Sequence, residues 1–174
     1  CMMIKNIVFL ALLIVAISGC TQVDNQDASG EVMEKDKDSM IEDKSDSMTE
    51  EGYSGNVLAG STTKYLEFKQ EDYEKALSEN KLILLYFYAD WCPICKAEQP
   101  AVHEAFEELN FNSVVGFRVN YNDGGTDENE KNLAREFGIT YQHTKIMLKD
   151  GERVLKAPDS WNKDRYVSEI SSFA

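Results

Sequence analysis

Two cysteines separated by two residues stand where a buried strand is predicted to end and a helix to begin. The run Leu82 to Tyr88 is continuously apolar, which is typical of a central parallel strand buried on both faces. Pro93 suits the first turn of a helix that we expect over residues 93–109. Cys92 would then lie at the helix N-terminus, where unpaired backbone N–H groups stabilise a thiolate. The spacing predicts that Cys92 attacks a disulfide and that Cys95, one turn later, resolves the mixed disulfide.

The elements around this motif alternate between strands and helices. We predict strands at 64–68, 82–88, 114–121, 144–148 and 153–156, and helices at 70–80, 93–109, 127–137 and 162–173. This order favours an α/β fold with a mixed central sheet and helices on both of its faces. In the helix that follows Cys92 we expect one buried stripe, formed by Ile94, Ala97, Ala101, Ala105, Phe106 and Leu109.

The residues around the cysteines resemble the active-site stretch of the thioredoxin family. That stretch reads Tyr88-Ala89-Asp90-Trp91-Cys92-Pro93-Ile94-Cys95-Lys96. The likeness covers residues 64–174 and, within the family, is greatest to the C-terminal domain of DsbD-type thiol–disulfide interchange proteins. It implies a thioredoxin fold that works without a cofactor. It also implies that neighbouring side chains support the two cysteines, namely Trp91, Pro93 and Ile94.

Two positions depart from the family's pattern. Tyr86 stands where thioredoxins usually hold a buried aspartate that helps to move the proton of the resolving thiol. His143 stands where they place a cis-proline beside the cysteines. If the fold holds, the His143 imidazole lies near both sulfurs and could stabilise a thiolate, move the resolving proton or complete a metal site. The alternative is a surface loop histidine that only fills the space left by a proline.

Residues 1–20 have the layout of an export signal. Lys5 precedes an apolar run from Ile7 to Ile17, which is shorter than the roughly 20 residues that a membrane-spanning helix needs. Ile17-Ser18-Gly19-Cys20 resembles the lipobox of bacterial lipoprotein signals, and the resemblance implies lipidation of Cys20. The alternative is a transmembrane anchor. Both interpretations attach the remainder to a membrane outside the cytoplasm, and we expect Cys1, before Met2, to be a start-site or fragment artefact.

The next segment, residues 21–63, carries eleven acidic side chains against three lysines and few apolar residues. Such a composition predicts a disordered tether, because the segment cannot bury enough apolar surface to offset the entropy of ordering it. The formal net charge of the whole chain is −13, which argues against nucleic-acid binding through phosphates. The predicted domains are therefore a signal at 1–20, a tether at 21–63 and a thioredoxin-like domain at 64–174.

These observations predict an extracytoplasmic, membrane-anchored thiol–disulfide oxidoreductase that reduces protein disulfides. The resemblance implies disulfide-bonded proteins as substrates and a membrane electron donor of the DsbD or CcdA type as partner. Two alternatives stay open. One is a metal-binding or metal-delivery lipoprotein that uses Cys92, Cys95 and His143. The other is a binding module in which Cys92 and Cys95 form a static disulfide.

Overall fold

A computed structural model describes residues 52–174, which form a six-stranded sheet and four helices. In chain order the elements are β1 (Val57–Ala59), β2 (Lys64–Glu67), α1 (Gln70–Ser78), β3 (Leu82–Tyr88), α2 (Pro93–Glu108), β4 (Val114–Asn120), α3 (Glu128–Glu136), β5 (Thr144–Lys149), β6 (Glu152–Ala157) and α4 (Lys163–Phe173). Each of the nine predicted elements is present, with ends that differ from the prediction by no more than two residues.

The sheet has the strand order β1-β2-β4-β3-β5-β6, so the strand before the cysteines lies in its interior. Strand β3 pairs parallel with β4 on one side and antiparallel with β5 on the other. The hairpin predicted between the last two strands is present as the antiparallel pair β5 and β6. The prediction of a mixed sheet is therefore confirmed.

Alternate residues of β3 face opposite layers of helices, as the two-residue period of a strand requires. Ile83, Leu85 and Phe87 pack in one core with buried residues of α1 and α3. Leu82, Leu84 and Tyr86 pack in a second core with buried residues of α2 and α4. The predicted helices on both faces are thus confirmed, and Tyr86 lies beneath the helix that begins at the cysteine pair.

The buried face of α2 differs from the predicted stripe. Its buried residues are Cys95, Glu98, Val102, Ala105 and Phe106. Ile94 is 56% exposed and Ala97 is exposed as well, so the first half of the stripe was wrong. The helix presents Cys95 to the sheet, and the apolar side chain of Ile94 beside it therefore points away from the core.

The folded unit begins before residue 64, the predicted end of the tether. Strand β1 pairs antiparallel with β2, with Val57 opposite Leu66. The backbone N–H of Gly55 donates to Asp72, whose carboxylate is almost fully buried. The boundary was missed because a three-residue edge strand in a polar stretch has too little periodicity to be recognised.

The predicted signal and Cys20 lie outside the described residues, as does the predicted tether as far as residue 51. Within residues 52–174, none of the helices combines the length and the apolar character that crossing a bilayer demands.

Candidate active site

Cys92 is the N-cap residue of α2, as predicted. The backbone N–H of Cys95 donates to Cys92 Sγ over 3.2 Å, and Pro93 occupies the first turn. The chain reaches this point through a tight turn after β3, in which the Cys92 N–H donates to the Ala89 carbonyl over 3.1 Å. The first N–H groups of a helix have no partner within the helix. One of them is aimed at Cys92 Sγ, where it stabilises negative charge on the sulfur.

Cys95 lies deeper than Cys92, and both are free thiols in this structure. The Cys95 side chain is completely buried, whereas Cys92 keeps 3% of its surface exposed. Burial, followed by the neighbouring Cys92 sulfur, raises the pKa of Cys95 to about 11, and the Tyr86 hydroxyl acts in the opposite direction by hydrogen bonding. Cys95 is therefore a protonated thiol near neutral pH.

Exposed apolar side chains adjoin Cys92 in the chain. Trp91 is 53% exposed, and its indole N–H donates to the Asn122 carbonyl over 2.9 Å, which holds the ring in place. Ile94 is comparably exposed. A group of exposed large apolar side chains is typical of an interaction surface. Trp91 and Ile94 form such an apolar rim next to Cys92, which is itself buried.

Tyr86 and His143 meet below the cysteines. The Tyr86 hydroxyl lies 3.1 Å from His143 Nδ1, and Cys95 is close enough to contribute to the raised pKa of Tyr86. Burial, reinforced by the negative charge of Glu98, raises the pKa of Tyr86 far above its usual value, so the phenol stays protonated. Tyr86 therefore lies between Cys95 and the imidazole.

His143 is only 7% exposed, so the interpretation of a surface loop histidine was wrong. Its backbone N–H donates to the Phe87 carbonyl over 2.6 Å, which fixes the loop against the end of β3. Nε2 lies 3.0 Å from both Ser160 Oγ and Glu98 Oε2. Burial, followed by the positive charge of Lys145, lowers the pKa of His143, so the ring is neutral near pH 7.

A buried ion pair lies behind the histidine. Lys145 is completely buried, and its Nζ lies 2.6 Å from Glu98 Oε1 and 2.8 Å from the Asp159 carbonyl. Glu98 Oε1 also accepts hydrogen bonds from the Tyr166 hydroxyl at 2.6 Å and the Trp161 backbone N–H at 3.1 Å. The aromatic ring of Tyr86 lies 4.8 Å from Lys145 Nζ. The charges are therefore paired and hydrogen bonded, as buried charges need to be.

Comparison with known proteins agrees with this geometry. The family model for thioredoxin matches residues 64–172, which is more than half of the chain. The chain belongs to the thioredoxin family.

Among individual thioredoxins, the chain is 34% identical over 103 residues to Thioredoxin-T of Drosophila melanogaster, covering 59% of this chain and 60% of that protein. It is 34% identical over 106 residues to the thioredoxin of Pyropia yezoensis, covering 61% of this chain and 89% of that one. The chain thus spans less than two thirds of the Drosophila relative. The solved structure of Schistosoma mansoni thioredoxin is similar with a TM-score of 0.50 at 27% identity, over 66% of this chain and all of that one.

Within this thioredoxin unit, the predicted site residues do not all meet. Cys92, Cys95, Trp91, Pro93 and Ile94 lie together at the start of α2, and Tyr86 lies directly below. His143 reaches the pair through Tyr86 and not by a hydrogen bond of its own to either sulfur among the described residues. No group of three potential metal ligands occurs in residues 52–174. The ligand set Cys92, Cys95 and His143 is therefore not assembled here.

Two buried charged residues of the site, Glu98 and Lys145, were not identified by the sequence analysis. Glu98 is not part of the predicted buried stripe of α2, but it is only 5% exposed. It lies three residues after Cys95 and four before Val102, so helical spacing from the resolving cysteine could have placed it on the buried face. Lys145 lies inside an apolar strand, and a lone lysine there indicates a buried partner of opposite charge.

Proposed function

We propose that this protein is a thiol–disulfide oxidoreductase that reduces disulfides of partner proteins. The observation that carries the proposal is the pair of free cysteines at the start of α2, the first accepting the N–H of the second. Membership of the thioredoxin family supports the same reaction class. The choice of reduction over oxidation depends on the resemblance to electron-delivering domains of the DsbD type.

The reaction has two thiol–disulfide exchanges. The Cys92 thiolate attacks one sulfur of the substrate disulfide, a bond forms between Cys92 and that sulfur, and the other substrate sulfur leaves as a thiolate. Cys95 then loses its proton and attacks Cys92 Sγ. A Cys92–Cys95 disulfide forms and the second substrate sulfur leaves, so that the substrate gains two electrons. A membrane donor of the DsbD or CcdA type would return the site to the dithiol.

Trapping tests the catalytic role of Cys92. In the full chain, Cys95→Ser removes the group that releases the substrate, so we expect mixed disulfides between Cys92 and partner proteins to accumulate in the native host. The matched control, Cys92→Ser, should trap none and should not reduce insulin disulfides. If wild-type protein leaves insulin disulfides intact and Cys95→Ser captures nothing, the oxidoreductase proposal fails.

The location is a separate part of the proposal. Ile17-Ser18-Gly19-Cys20 supports a lipid anchor on Cys20 and an extracytoplasmic site on the membrane. We expect metabolic labelling with a radioactive fatty acid to mark the wild-type protein and not Cys20→Ser, which should also leave the membrane fraction. If Cys20→Ser stays in the membrane and the wild type takes up no label, a transmembrane anchor replaces the lipid.

A further inference from the structure

Resolution by Cys95 faces a proton problem that the reaction alone does not solve. The thiol must become a thiolate before it attacks Cys92, but it is completely buried and protonated near neutral pH. The aspartate that usually helps in thioredoxins is replaced by Tyr86. A phenol that stays protonated cannot act as the final proton acceptor, so it needs a base behind it.

The structure supplies that base in a continuous line of contacts across the second core. Tyr86 and Cys95 each influence the pKa of the other, which places the hydroxyl beside the thiol, and this hydroxyl lies 3.1 Å from His143 Nδ1. On the far side of the ring, Nε2 lies 3.0 Å from Glu98 Oε2. The line therefore joins the resolving thiol to a buried carboxylate through one hydroxyl and one imidazole.

The carboxylate determines which ring nitrogen carries the proton. Glu98 Oε1 is occupied by Lys145, Tyr166 and the Trp161 N–H. Oε2 has no hydrogen-bond partner among the described residues, and His143 Nε2 lies 3.0 Å from it. A carboxylate only accepts, so the neutral ring keeps its hydrogen on Nε2, and the Nδ1 lone pair is left for the Tyr86 O–H. Ser160 Oγ, also 3.0 Å from Nε2, can share that hydrogen.

We propose that Tyr86 and His143 form a proton relay that accepts the proton of Cys95 when Cys95 resolves the mixed disulfide. The inference depends on the proposed oxidoreductase function. In this relay Tyr86 is the catalytic residue, because it exchanges the proton directly with the reacting thiol. His143 acts through Tyr86, and Glu98 with Lys145 positions the ring and sets its tautomer.

The relay balances protons and electrons. Cys95 S–H gives its proton to the Tyr86 oxygen while the Tyr86 hydroxyl proton moves to His143 Nδ1, so the phenol is regenerated and the ring becomes an imidazolium. The electron pair left on Cys95 forms the bond to Cys92, and the bond from Cys92 to the substrate sulfur breaks. Glu98 and Ser160 line a cavity of about 530 Å³ beside α2, through which His143 can return its extra proton to solvent.

The charges around the His143 ring suit a base that is unprotonated before the reaction. Lys145 disfavours the imidazolium, whereas Glu98 and Asp159 favour it. With Tyr86, these are the charged and titratable groups that face His143 from β3, α2, β5 and the loop before α4. Burial of the ring keeps it neutral near pH 7, and the carboxylate stabilises the cation once the proton arrives.

Stopped-flow reaction with excess 5,5′-dithiobis(2-nitrobenzoate) separates the two exchanges. Cys1→Ser and Cys20→Ser in the full chain leave only the site thiols to react. The first release of thionitrobenzoate reports attack by Cys92, and its rate depends on reagent concentration. The second release is unimolecular and reports attack by Cys95. The pH dependence of the second phase is the readout that a merely structural role would not change.

We expect Tyr86→Phe and His143→Asn each to slow the second phase at pH 7 by about 100-fold, the lower end of the range usual for general acid–base catalysis. The deficit should shrink towards pH 10, where hydroxide removes the proton, and the first phase should keep its rate. Tyr73→Phe is the control, since it deletes a tyrosine hydroxyl from α1 in the opposite core, away from both cysteines and His143, and neither phase should change.

Three outcomes would overturn the relay. The first is a second phase in Tyr86→Phe that equals wild type at every pH. The second is equal slowing at every pH, which would indicate misplaced cysteines and no proton transfer. The third is a wild-type rate in His143→Asn together with a slow Tyr86→Phe. If the wild type itself shows no first phase, the oxidoreductase proposal fails instead, so the two failures are distinguishable.

Discussion

His143 combines a buried imidazole with a left-handed backbone. Its φ is 70°, and its N–H donates to the Phe87 carbonyl over 2.6 Å. Non-glycine residues adopt positive φ infrequently, and histidine, asparagine and aspartate do so more readily than most. The residue type at this position therefore meets a backbone requirement as well as a chemical one.

Substituting the family's usual proline here should destabilise the protein. Proline fixes φ near −65° and has no N–H, so His143→Pro loses the bond to Phe87 and forces the loop to move. We expect the free energy of unfolding to fall by about 2–4 kcal/mol, combining an unsatisfied buried carbonyl with local strain. His143→Asn keeps the N–H and tolerates positive φ, so its loss should be smaller. Urea unfolding compares the two, and a more stable proline variant would contradict the expectation.

The Glu98–Lys145 pair offers a second test at single residues. Lys145→Met leaves a buried carboxylate without its cation, and Glu98→Gln leaves a buried cation without its carboxylate. Removal of one partner of a buried pair typically costs about 3–5 kcal/mol. The double variant should lose less than the sum of the single losses. The control is the exposed pair Lys163–Glu108, for which Lys163→Met should cost less than about 1 kcal/mol. Additive losses in urea unfolding would refute the coupling.

The sequence identifies the reacting cysteines but not the polar groups beneath them. Cys92 and Cys95 are recognisable because spacing and position at a strand–helix junction are local properties. The partnership of Tyr86, Glu98 and Lys145 is not local, since it joins β3 and α2 to β5, which lies about 40 residues further along the chain. Only the folded structure shows that these residues meet on the same side of the sheet.

At the scale of elements, the position of α2 depends on a glycine in the neighbouring layer. A Cβ on Gly116 of β4 would lie 2.4 Å from Cζ of Phe106 and 2.9 Å from Cδ2 of Tyr65. Both rings are fully buried and stack on one another with their centroids 5.1 Å apart. The helix that begins with Cys92 therefore rests on the sheet at a point where no side chain fits.

Gly116→Ala tests that close approach. The added methyl group must displace two packed rings, and overpacking of this kind usually costs about 1–3 kcal/mol. Gly124→Ala is the matched control, because nothing lies within 4 Å of its Cβ position. Its effect should be below about 0.5 kcal/mol, as is usual for surface substitutions. Equal midpoints of urea unfolding for the two variants would show that α2 can shift without cost.

The nine predicted elements were recognisable because each long element carries its own period of apolar residues. The exception within α2 is instructive. Its stripe was assigned by hydrophobicity alone, which favoured Ile94 and excluded Glu98. The structure reverses these two, because burial of Cys95 sets the rotation of the helix and because the exposed rim of the site is itself apolar.

At the scale of the whole molecule, several buried acids make stability depend on pH and redox state together. Burial raises the pKa values of Tyr65, Tyr86 and Tyr166 well above their ordinary value. Burial also raises the pKa of Cys95 in the reduced protein. The pKa of Lys145 shifts in the opposite direction, because burial of a cationic group lowers its pKa. The formal charge of −13 reveals none of this, since it does not distinguish buried groups from exposed ones.

Alkaline conditions should therefore destabilise the reduced protein more steeply than the oxidised one. Above pH 9 the unfolded chain releases the Cys95 proton, whereas the folded reduced protein keeps it up to a pKa of about 11. The unfolded state then binds fewer protons, so the free energy of unfolding falls as pH rises, by at most about 1.4 kcal/mol per pH unit for one group. A Cys92–Cys95 disulfide has no such proton, while the tyrosines and Lys145 titrate in both forms. Urea unfolding between pH 8 and 10 should give a steeper decline for the reduced protein, and Cys95→Ser should follow the shallower line. Parallel lines would mean that Cys95 ionises as readily in the folded protein as in the unfolded chain, and the need for a proton acceptor beside it would disappear.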